Sequence, residues 1–290
     1  MMVRNLSAAV VLYAAMTVAV FAETVTELGM YEWKARSAVG ISGLEVSEDG
    51  QRFDAISDQG WVLSGRFTRD ADVITDVTLD LITPLSGIDG LPVASRRIGD
   101  WSDAEGLAIG SNGRHWVSFE RWARVAGYDG LGGKEITTKS HTSFADYKEN
   151  QQLEALAIAP DGTLYAFAEA ALEDGFAIYK YDGAAWAIDG YLPKSNRYAI
   201  VGADFDGQGT LYLLERKLNV GLWWQSRVRR VVFGETPSDD VLWTSGSGDF
   251  DNLEGIAVWP EGDGLRITMV ADNNAEDHEI TQFVELKVVP

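Results

Sequence analysis

The chain contains 290 residues, carries a formal net charge of −20 and has no cysteine. This acidity argues against nucleic acid and anionic membranes as partners, and it suits divalent cations. The lack of cysteine excludes disulfides and thiolate metal ligands, and with only three histidines a zinc site is not expected.

The first 22 residues have the pattern of a secretion signal. Arg4 precedes a mostly apolar run at 6–21, and Val20-Phe21-Ala22 has the small-residue pattern of a signal-peptidase site. We therefore predict a signal peptide at 1–22, a single domain at 23–290 and a periplasmic or secreted protein. An N-terminal anchor helix is the alternative, but the run is shorter than the ~20 apolar residues that a span needs. No later segment is long and apolar enough to cross a bilayer.

An acidic residue recurs in a similar short sequence context, in steps of 60, 49, 50 and 50 residues. The context is clearest in Asp103-Ala104-Glu105-Gly106-Leu107 and in Asn252-Leu253-Glu254-Gly255-Ile256. We call the five recurring residues the frame acids: Glu45, Glu105, Glu154, Asp204 and Glu254.

Each frame acid lies in or beside a short predicted strand, which is followed by a turn and a second strand. Asn-Gly and Asp-Gly between apolar runs are strong hairpin signals, because Gly accepts positive φ. In chain order, the predicted strands are 44–47, 52–57, 61–68 and 73–81 in unit one; 106–109, 115–119, 124–128 and 135–140 in unit two; 155–159, 163–168, 176–181 and 186–191 in unit three; 203–206, 210–214, 227–233 and 241–244 in unit four; and 255–259, 265–270 and 281–289 in unit five.

A repeat of four strands at a fixed period predicts an all-β propeller. Five blades fit if residues 23–33 supply the strand that unit five lacks, because the steps around the ring are then 60, 49, 50, 50 and 58 residues. A six-bladed propeller is the alternative, with a degenerate blade hidden at 82–101. A tandem of immunoglobulin-like domains fits less well, because the acid would have no reason to recur.

The first strand of a propeller blade lines the central channel, so the frame acids are expected to meet near the axis. Like charges at close range are unfavourable unless a cation or a shared proton compensates them. Calcium takes about six to eight oxygen ligands, so we predict a site for calcium or another divalent cation. The predicted metal ligands are Glu45, Glu105, Glu154, Asp204 and Glu254, together with Asn252. The alternative is that each acid caps a strand end by accepting a backbone N–H bond.

A second set of acids lies at the end of the second strand of each unit: Asp58, Glu120, Glu169, Glu215 and Asp272. Arg121 and Arg216 each follow one of these acids directly. A guanidinium group matches phosphate or carboxylate in bidentate fashion, so these arginines are candidates for binding an anionic substrate group. Salt bridges between blades are the alternative.

Two further groups of residues have simpler interpretations. Arg227, Arg229 and Arg230 share one predicted strand, and we expect them on a solvated face. Trp223 and Trp224 are predicted in a loop, where they could line a ligand pocket.

Several strings together resemble the bacterial family described as "esterase-like activity of phytase", in the right order and over nearly the whole mature chain. They are Ser-Gly-Leu-Glu at 42–45, Asp-Ala-Glu-Gly-Leu-Ala at 103–108, Ser-Phe-Glu-Arg at 118–121, Leu-Glu-Ala-Leu-Ala at 153–157, Gly-Ala-Asp-Phe at 202–205, Leu-Tyr-Leu-Leu-Glu-Arg at 211–216 and Asp-Asn-Leu-Glu-Gly-Ile-Ala-Val at 251–258. The resemblance implies an exported propeller and a metal-dependent hydrolase that acts on esters, phosphate esters included. True β-propeller phytases surround phytate with several Lys and Arg, whereas this chain is strongly acidic, so a hexaphosphate is not the expected substrate.

We therefore predict a calcium-dependent hydrolase of a small anionic ester, present as a monomer. Glu120 or Glu215 would act as general base, and Arg121 and Arg216 would bind the anion. Two alternatives stay open: a non-catalytic periplasmic binding or scaffold propeller with a structural cation, and a lactonase-like calcium propeller. Catalysis itself is thus an open question at this point.

Overall fold

A computed structural model of the chain describes residues 23–34, 40–93, 102–130, 132–148, 150–234, 237–273 and 280–290. The predicted signal peptide at 1–22 lies outside these residues. None of the described helices is long and apolar enough to cross a membrane. The described strands, in chain order, are β1 Thr24–Glu32, β2 Ile41–Val46, β3 Arg52–Ser57, β4 Trp61–Asp70, β5 Val73–Pro84, β6 Ala104–Ile109, β7 His115–Phe119, β8 Arg124–Tyr128, β9 Ile136–Thr137, β10 Leu153–Ile158, β11 Leu164–Ala168, β12 Phe176–Tyr181, β13 Trp186–Leu192, β14 Ala199–Phe205, β15 Leu211–Leu218, β16 Trp224–Val232, β17 Ser238–Thr244, β18 Asn252–Glu261, β19 Gly264–Asp272 and β20 Gln282–Val289.

The described strands form five four-stranded antiparallel sheets. Blades one to four are β2–β5, β6–β9, β10–β13 and β14–β17, and blade five is β18, β19, β20 and β1. The innermost strands β2, β6, β10, β14 and β18 are neighbours around a closed ring. The predicted five-bladed propeller is confirmed, and the six-bladed alternative is wrong.

The N-terminal strand closes the ring, as predicted. β1 pairs antiparallel with β20 from Thr24↔Val289 to Glu32↔Gln282. Blade five therefore contains the first and the last described strands, and main-chain hydrogen bonds hold β1 to the rest of this blade.

The hairpins between the first and second strands of the blades follow from their turn residues. In blade three, Gly162 has a φ of +88°, which a residue with a side chain rarely adopts. The Asp161 carboxylate accepts a hydrogen bond from the backbone N–H of Thr163 at 2.9 Å. This Asx turn reverses the chain between β10 and β11.

Apolar clusters fill the spaces between adjacent blades. Between blades five and one, Trp33, Phe53, Phe67 and Phe283 pack with ring centroids 4.8 to 5.9 Å apart. Such aromatic pairs add to the stabilisation from burial. The hydrophobic core of the protein therefore lies between adjacent blades.

The segment 82–101, where the six-bladed alternative placed its hidden blade, is described only as far as Val93. β5 runs on to Pro84, and Leu85 and Val93 are buried against Val62 and Phe119. This part of the segment thus packs on the space between blades one and two.

A buried ionic network also joins blades five and one. Glu285 on β20 accepts hydrogen bonds from Arg69 on β4 at 2.6 Å, from Arg266 at 3.1 Å and from Thr268 at 2.9 Å. Arg266 is only 1% exposed and Glu285 is 2% exposed. Buried charges of this kind must stay paired, because an unpaired one has lost its hydration without compensation.

We expect the substitution Glu285→Gln to lower the free energy of unfolding by about 3 kcal/mol, because it leaves buried arginines short of one negative charge. Urea unfolding followed by tryptophan fluorescence measures the change. Asp80→Asn is the matched control: it breaks the exposed Arg66–Asp80 pair, which solvent screens, so its effect on the free energy of unfolding should be much smaller. Equal effects of the two substitutions would contradict a structural role for the network.

Candidate functional site

Every inner strand contains a β-bulge at the same point. The register with the second strand shifts between residues 41 and 43, 104 and 107, 153 and 155, 200 and 202, and 253 and 255. A small residue occupies the position after the bulge in each blade: Gly43, Gly106, Ala155, Gly202 and Gly255. We call this end of the channel the bulged end, and the opposite end, with the first hairpin turns, the hairpin end.

The inner strands of neighbouring blades approach one another closely at this small residue. A Cβ added to Gly43 would lie 2.8 Å from the carbonyl oxygen of Glu105 in blade two. A Cβ added to Gly202 would lie 2.5 Å from the carbonyl oxygen of Glu254 in blade five. Both distances are shorter than a Cβ tolerates, so these glycines set the diameter of the ring.

The bulge separates the frame acids into two groups, and the expected single ring of five is wrong. Glu105, Glu154 and Glu254 directly precede the small residue, at the bulged end. Glu45 and Asp204 lie two residues after it, nearer the hairpin end. In blades one and four the bulge itself carries Ser42 and Val201. The small residue follows the acid directly in blades two, three and five and precedes it by two positions in blades one and four, but only the pairing with the second strand identifies the bulge.

The three acids at the bulged end are buried and close to one another. Burial raises the pKa of Glu105 well above its usual value, and the nearby carboxylates of Glu154 and Glu254 raise it further. Burial likewise raises the pKa of Glu154, with a contribution from Glu169. Asn252 donates to the Glu254 carboxylate at 2.8 Å. The structure therefore brings four of the six predicted metal ligands together.

The second set of predicted acids also contains a register difference. Strand pairing aligns Ser57, Phe119, Ala168, Glu215 and Ala271 with the start of the inner strands. The next position carries Asp58, Glu120, Glu169, Arg216 and Asp272. Blade four thus has an arginine where the other four blades have an acid.

Glu215 is not placed to act as a general base. Its side chain is completely buried and lies in ion pairs with Arg227 and Arg229. Those two arginines are buried as well, so the expectation of a solvated face is wrong for them. Arg230, by contrast, is partly exposed and pairs with Asp240 and Glu23. The alternation of side chains along a strand explains the error, because Glu215 is one residue out of register with Glu120.

Arg216 lies among the carboxylates at the bulged end. It contacts the carboxylate of Glu254 and the side-chain oxygen of Asn252, and it lies 3.4 Å from Glu169. Burial opposes its charge, but the carboxylates of Glu254, Glu154 and Glu169 outweigh that effect and raise the pKa of Arg216. The guanidinium group of Arg216 therefore places a permanent positive charge on one side of the site.

Two further side chains singled out by the sequence, Arg121 and Trp224, lie at the bulged end. Arg121 lies 2.8 Å from the Asn150 side-chain oxygen and 3.2 Å from Asp103. Both candidate arginines are therefore in ion pairs, as the salt-bridge alternative predicts. Trp224 begins β16, and its ring packs over the guanidinium of Arg216 at 5.0 Å.

Two overlapping groups of carboxylates at the bulged end have oxygens close enough to share a cation. Asp103, Glu105 and Glu120 form one, and Glu120, Glu154 and Glu169 the other, with the oxygens of each group within 4.8 Å of one another. Burial raises the pKa of Glu120 to about 7, and Asp103 contributes. Oxygen-only ligands suit calcium or another hard divalent cation. Asp103 was missed as a candidate ligand, although its place two residues before Glu105 matches that of Asn252 before Glu254.

Glu45 and Asp204 line a separate cavity of about 1230 Å³ at the hairpin end. Glu45 accepts a hydrogen bond from the backbone N–H of Ile109 at 3.1 Å, and Asp204 accepts one from Val258 at 2.6 Å. Each acid thus binds the backbone of the next blade, as the strand-capping alternative predicts. Burial raises the pKa of Asp204 to about 7. Burial and the charge of Asp204 also raise the pKa of Glu45.

The family comparison agrees with this architecture. Residues 37–275 match the family model described as "Phytase-like: Esterase-like activity of phytase". The chain belongs to this family. The search of curated proteins found no match.

Several solved structures are similar to this phytase-like propeller. The PQQ-bound aldose sugar dehydrogenase of Streptomyces coelicolor is 14% identical, with a TM-score of 0.50 over 92% of this chain and 99% of that one. Virginiamycin B lyase of Staphylococcus aureus is 12% identical, with a TM-score of 0.45 over 92% and 100% of the two chains. A gluconolactonase of Xanthomonas campestris is 12% identical, with a TM-score of 0.45 over 85% and 72%. At 14% identity the likeness to the dehydrogenase concerns the fold alone.

We expect Asp204→Asn to stabilise the protein at pH 8 by about 2 kcal/mol. The folded state holds a proton on Asp204 up to a pKa of about 7, whereas the unfolded chain releases it near pH 4. Stability from this group is therefore present at low pH and is lost as the pH rises from about 4 to about 7. The variant removes that loss, because an amide does not ionise.

Urea unfolding between pH 4 and pH 8 measures this effect. Asp263→Asn in the exposed β18–β19 turn is the control, and we expect its pH dependence to match that of the parent. If the Asp204→Asn variant is instead destabilised by the same amount at every pH, hydrogen bonding and not ionisation governs this position.

Proposed function

We propose that this protein hydrolyses an ester, with phosphate esters included in the substrate class. The reaction uses a divalent cation at the bulged end of the propeller, and calcium is the first choice for that cation. The convergence of Asp103, Glu105 and Glu120 supports this proposal most directly, because three carboxylates lie within reach of one cation. Membership of a family described by esterase-like activity supports the choice of reaction.

Arg216 indicates which side of the site would hold the cation. It already neutralises Glu254 and Glu169 in blades five and three. The other carboxylate group lies in blade two and consists of Asp103, Glu105 and Glu120. Arg121 lies 3.2 Å from Asp103, the most exposed of the three. We therefore assign the cation to the blade-two carboxylates, off the channel axis. This replaces the ring of five frame acids expected from the sequence.

A bound divalent cation supplies polarisation of the ester oxygen and acidification of a water ligand. Around it, the chain contributes three functions. Asp103 and Glu105 would bind the cation through their carboxylates. Glu120 belongs to both carboxylate groups and is the candidate to accept a proton from the attacking water. Arg121, which is more exposed than Arg216, is the candidate to orient an anionic substrate.

A structural cation without turnover is the second candidate function. The burial of Glu105 and Glu154 supports it, because these carboxylates need compensation whether or not a substrate binds. The lactonase alternative, export to the periplasm or medium, and a monomeric state stay predictions.

We expect purified protein to bind one calcium ion in calorimetry and Glu105→Gln to weaken that binding at least tenfold, because an amide removes one of the few charged ligands. Glu254→Gln should weaken it less, since Arg216 already occupies the Glu254 carboxylate. Glu45→Gln, at the hairpin end, is the matched control and should bind like the parent. If Glu45→Gln loses calcium while Glu105→Gln keeps it, the cation binds at the hairpin end and the proposed site at the bulged end is wrong.

We expect turnover of at least one compound in a panel of phosphomonoesters, carboxyl esters and lactones, and its loss on addition of chelator. Glu120→Gln should lower kcat about 100-fold, within the usual range for loss of a general base. Calcium calorimetry on the same variant distinguishes two roles of Glu120. If Glu120 acts as a general base alone, the variant binds calcium as tightly as the parent does. If Glu120 is also a ligand of the cation, the variant binds calcium more weakly. A parent that turns over no compound, yet loses thermal stability with chelator, would leave only the structural cation.

A further inference from the structure

The hairpin that joins β15 to β16 presents an exposed apolar tip. Four of the six residues from 218 to 223 are apolar and exposed: Leu218, Val220, Leu222 and Trp223, at 41, 97, 77 and 59%. Single exposed apolar residues are common on soluble proteins, but a contiguous group indicates a binding surface. We call residues 218–223 the apolar tip.

The backbone holds these side chains outward in a defined conformation. The backbone N–H of Leu222 donates to the carbonyl of Asn219 at 3.1 Å, and the N–H of Asn219 donates to the carbonyl of Trp223 at 2.9 Å. Leu222 has a φ of +63°, in the left-handed region that a branched apolar residue rarely adopts. Strain of this kind persists where surrounding contacts impose it, and it concentrates at functional sites.

The surrounding contacts come from the loop between blades four and five. The Asn219 side chain donates to the Ser247 hydroxyl at 3.0 Å, and the N–H of Gly248 donates to the carbonyl of Trp224 at 2.7 Å. The Trp223 ring covers Gly248 so closely that an added Cβ would lie 3.0 Å from it. The apolar tip is therefore fixed against the rest of the propeller.

This position places the apolar tip beside the bulged end of the channel. β15 carries Arg216 two residues before Leu218, and Trp224 at the far side of the tip packs over that guanidinium. The loop beneath Trp223 leads directly into Asn252 and Glu254, which contact Arg216. One short hairpin thus joins an exposed apolar surface to the charged site.

We propose that the apolar tip determines substrate specificity by binding an apolar group attached to the reacting ester. The inference rests on the proposed function and narrows its substrate class: an ester with an aromatic or long alkyl group and few charges. Charge supports this choice, because a chain with a net charge of −20 repels a polyanion. The gain on binding comes from apolar surface removed from water.

The test compares two esters of the same acid, a naphthyl ester and a methyl ester, in whichever ester class the parent hydrolyses. The double substitution Leu222→Ser with Trp223→Ala should raise KM for the naphthyl ester about tenfold or more and leave its kcat unchanged. KM and kcat for the methyl ester should stay the same. Val241→Ser, which removes an exposed apolar side chain from the outer strand β17, is the matched control and should change neither ester.

A binding experiment keeps this inference separate from the proposed reaction. With calcium present, the parent should bind benzylphosphonate more tightly than methylphosphonate in calorimetry, and the double variant should lose that preference. This result is expected even if no ester is hydrolysed. Equal effects of the double substitution on both esters or both phosphonates would overturn the proposal. A variant that keeps the preference but loses binding to phosphatidylglycerol vesicles would also overturn it, in favour of a membrane-docking surface.

Discussion

The close approach of the five inner strands at the residue after each bulge is the constraint on which the rest of this structure depends. Four blades place Gly there and one places Ala, and a Cβ on Gly43 or Gly202 would collide with the backbone of a neighbouring blade. Because the strands meet so tightly, the acids that precede Gly106, Ala155 and Gly255 share a small buried volume. Fold and chemistry are therefore coupled: the packing that closes the ring also concentrates negative charge.

Concentrated charge needs compensation, and the chain supplies only part of it. Arg216 occupies a position that is acidic in the other four blades and neutralises the side of the site formed by Glu169 and Glu254. Burial and the nearby carboxylates of Glu154 and Glu254 raise the pKa of Glu105 on the blade-two side. A proton or a hard cation can supply the missing positive charge there. The same arginine lies beneath Trp224 and so links the charged site to the apolar tip.

Acids elsewhere in the propeller serve different physical purposes. Glu285 and Glu215 are buried within or between blades and are paired with arginines, so they belong to the packing. Glu45 and Asp204 accept backbone N–H bonds from the next blade at the hairpin end. The acidity of the chain thus divides among packing, capping and the cluster at the bulged end, in addition to the solvated surface.

The sequence by itself determined the fold: strand periodicity, Asp-Gly turns and a fixed repeat predicted five blades and the N-terminal strand that completes blade five, because these are local patterns. It also identified Glu105, Glu154, Glu254 and Asn252, which the structure brings together. Only the tertiary structure showed that Glu45 and Asp204 are out of register with them, that Glu215 is buried in a blade, and that Asp103 joins Glu105 and Glu120. The physical reason is that a bulge or a one-residue shift reverses the direction of a side chain in a strand, and spacing alone does not reveal either.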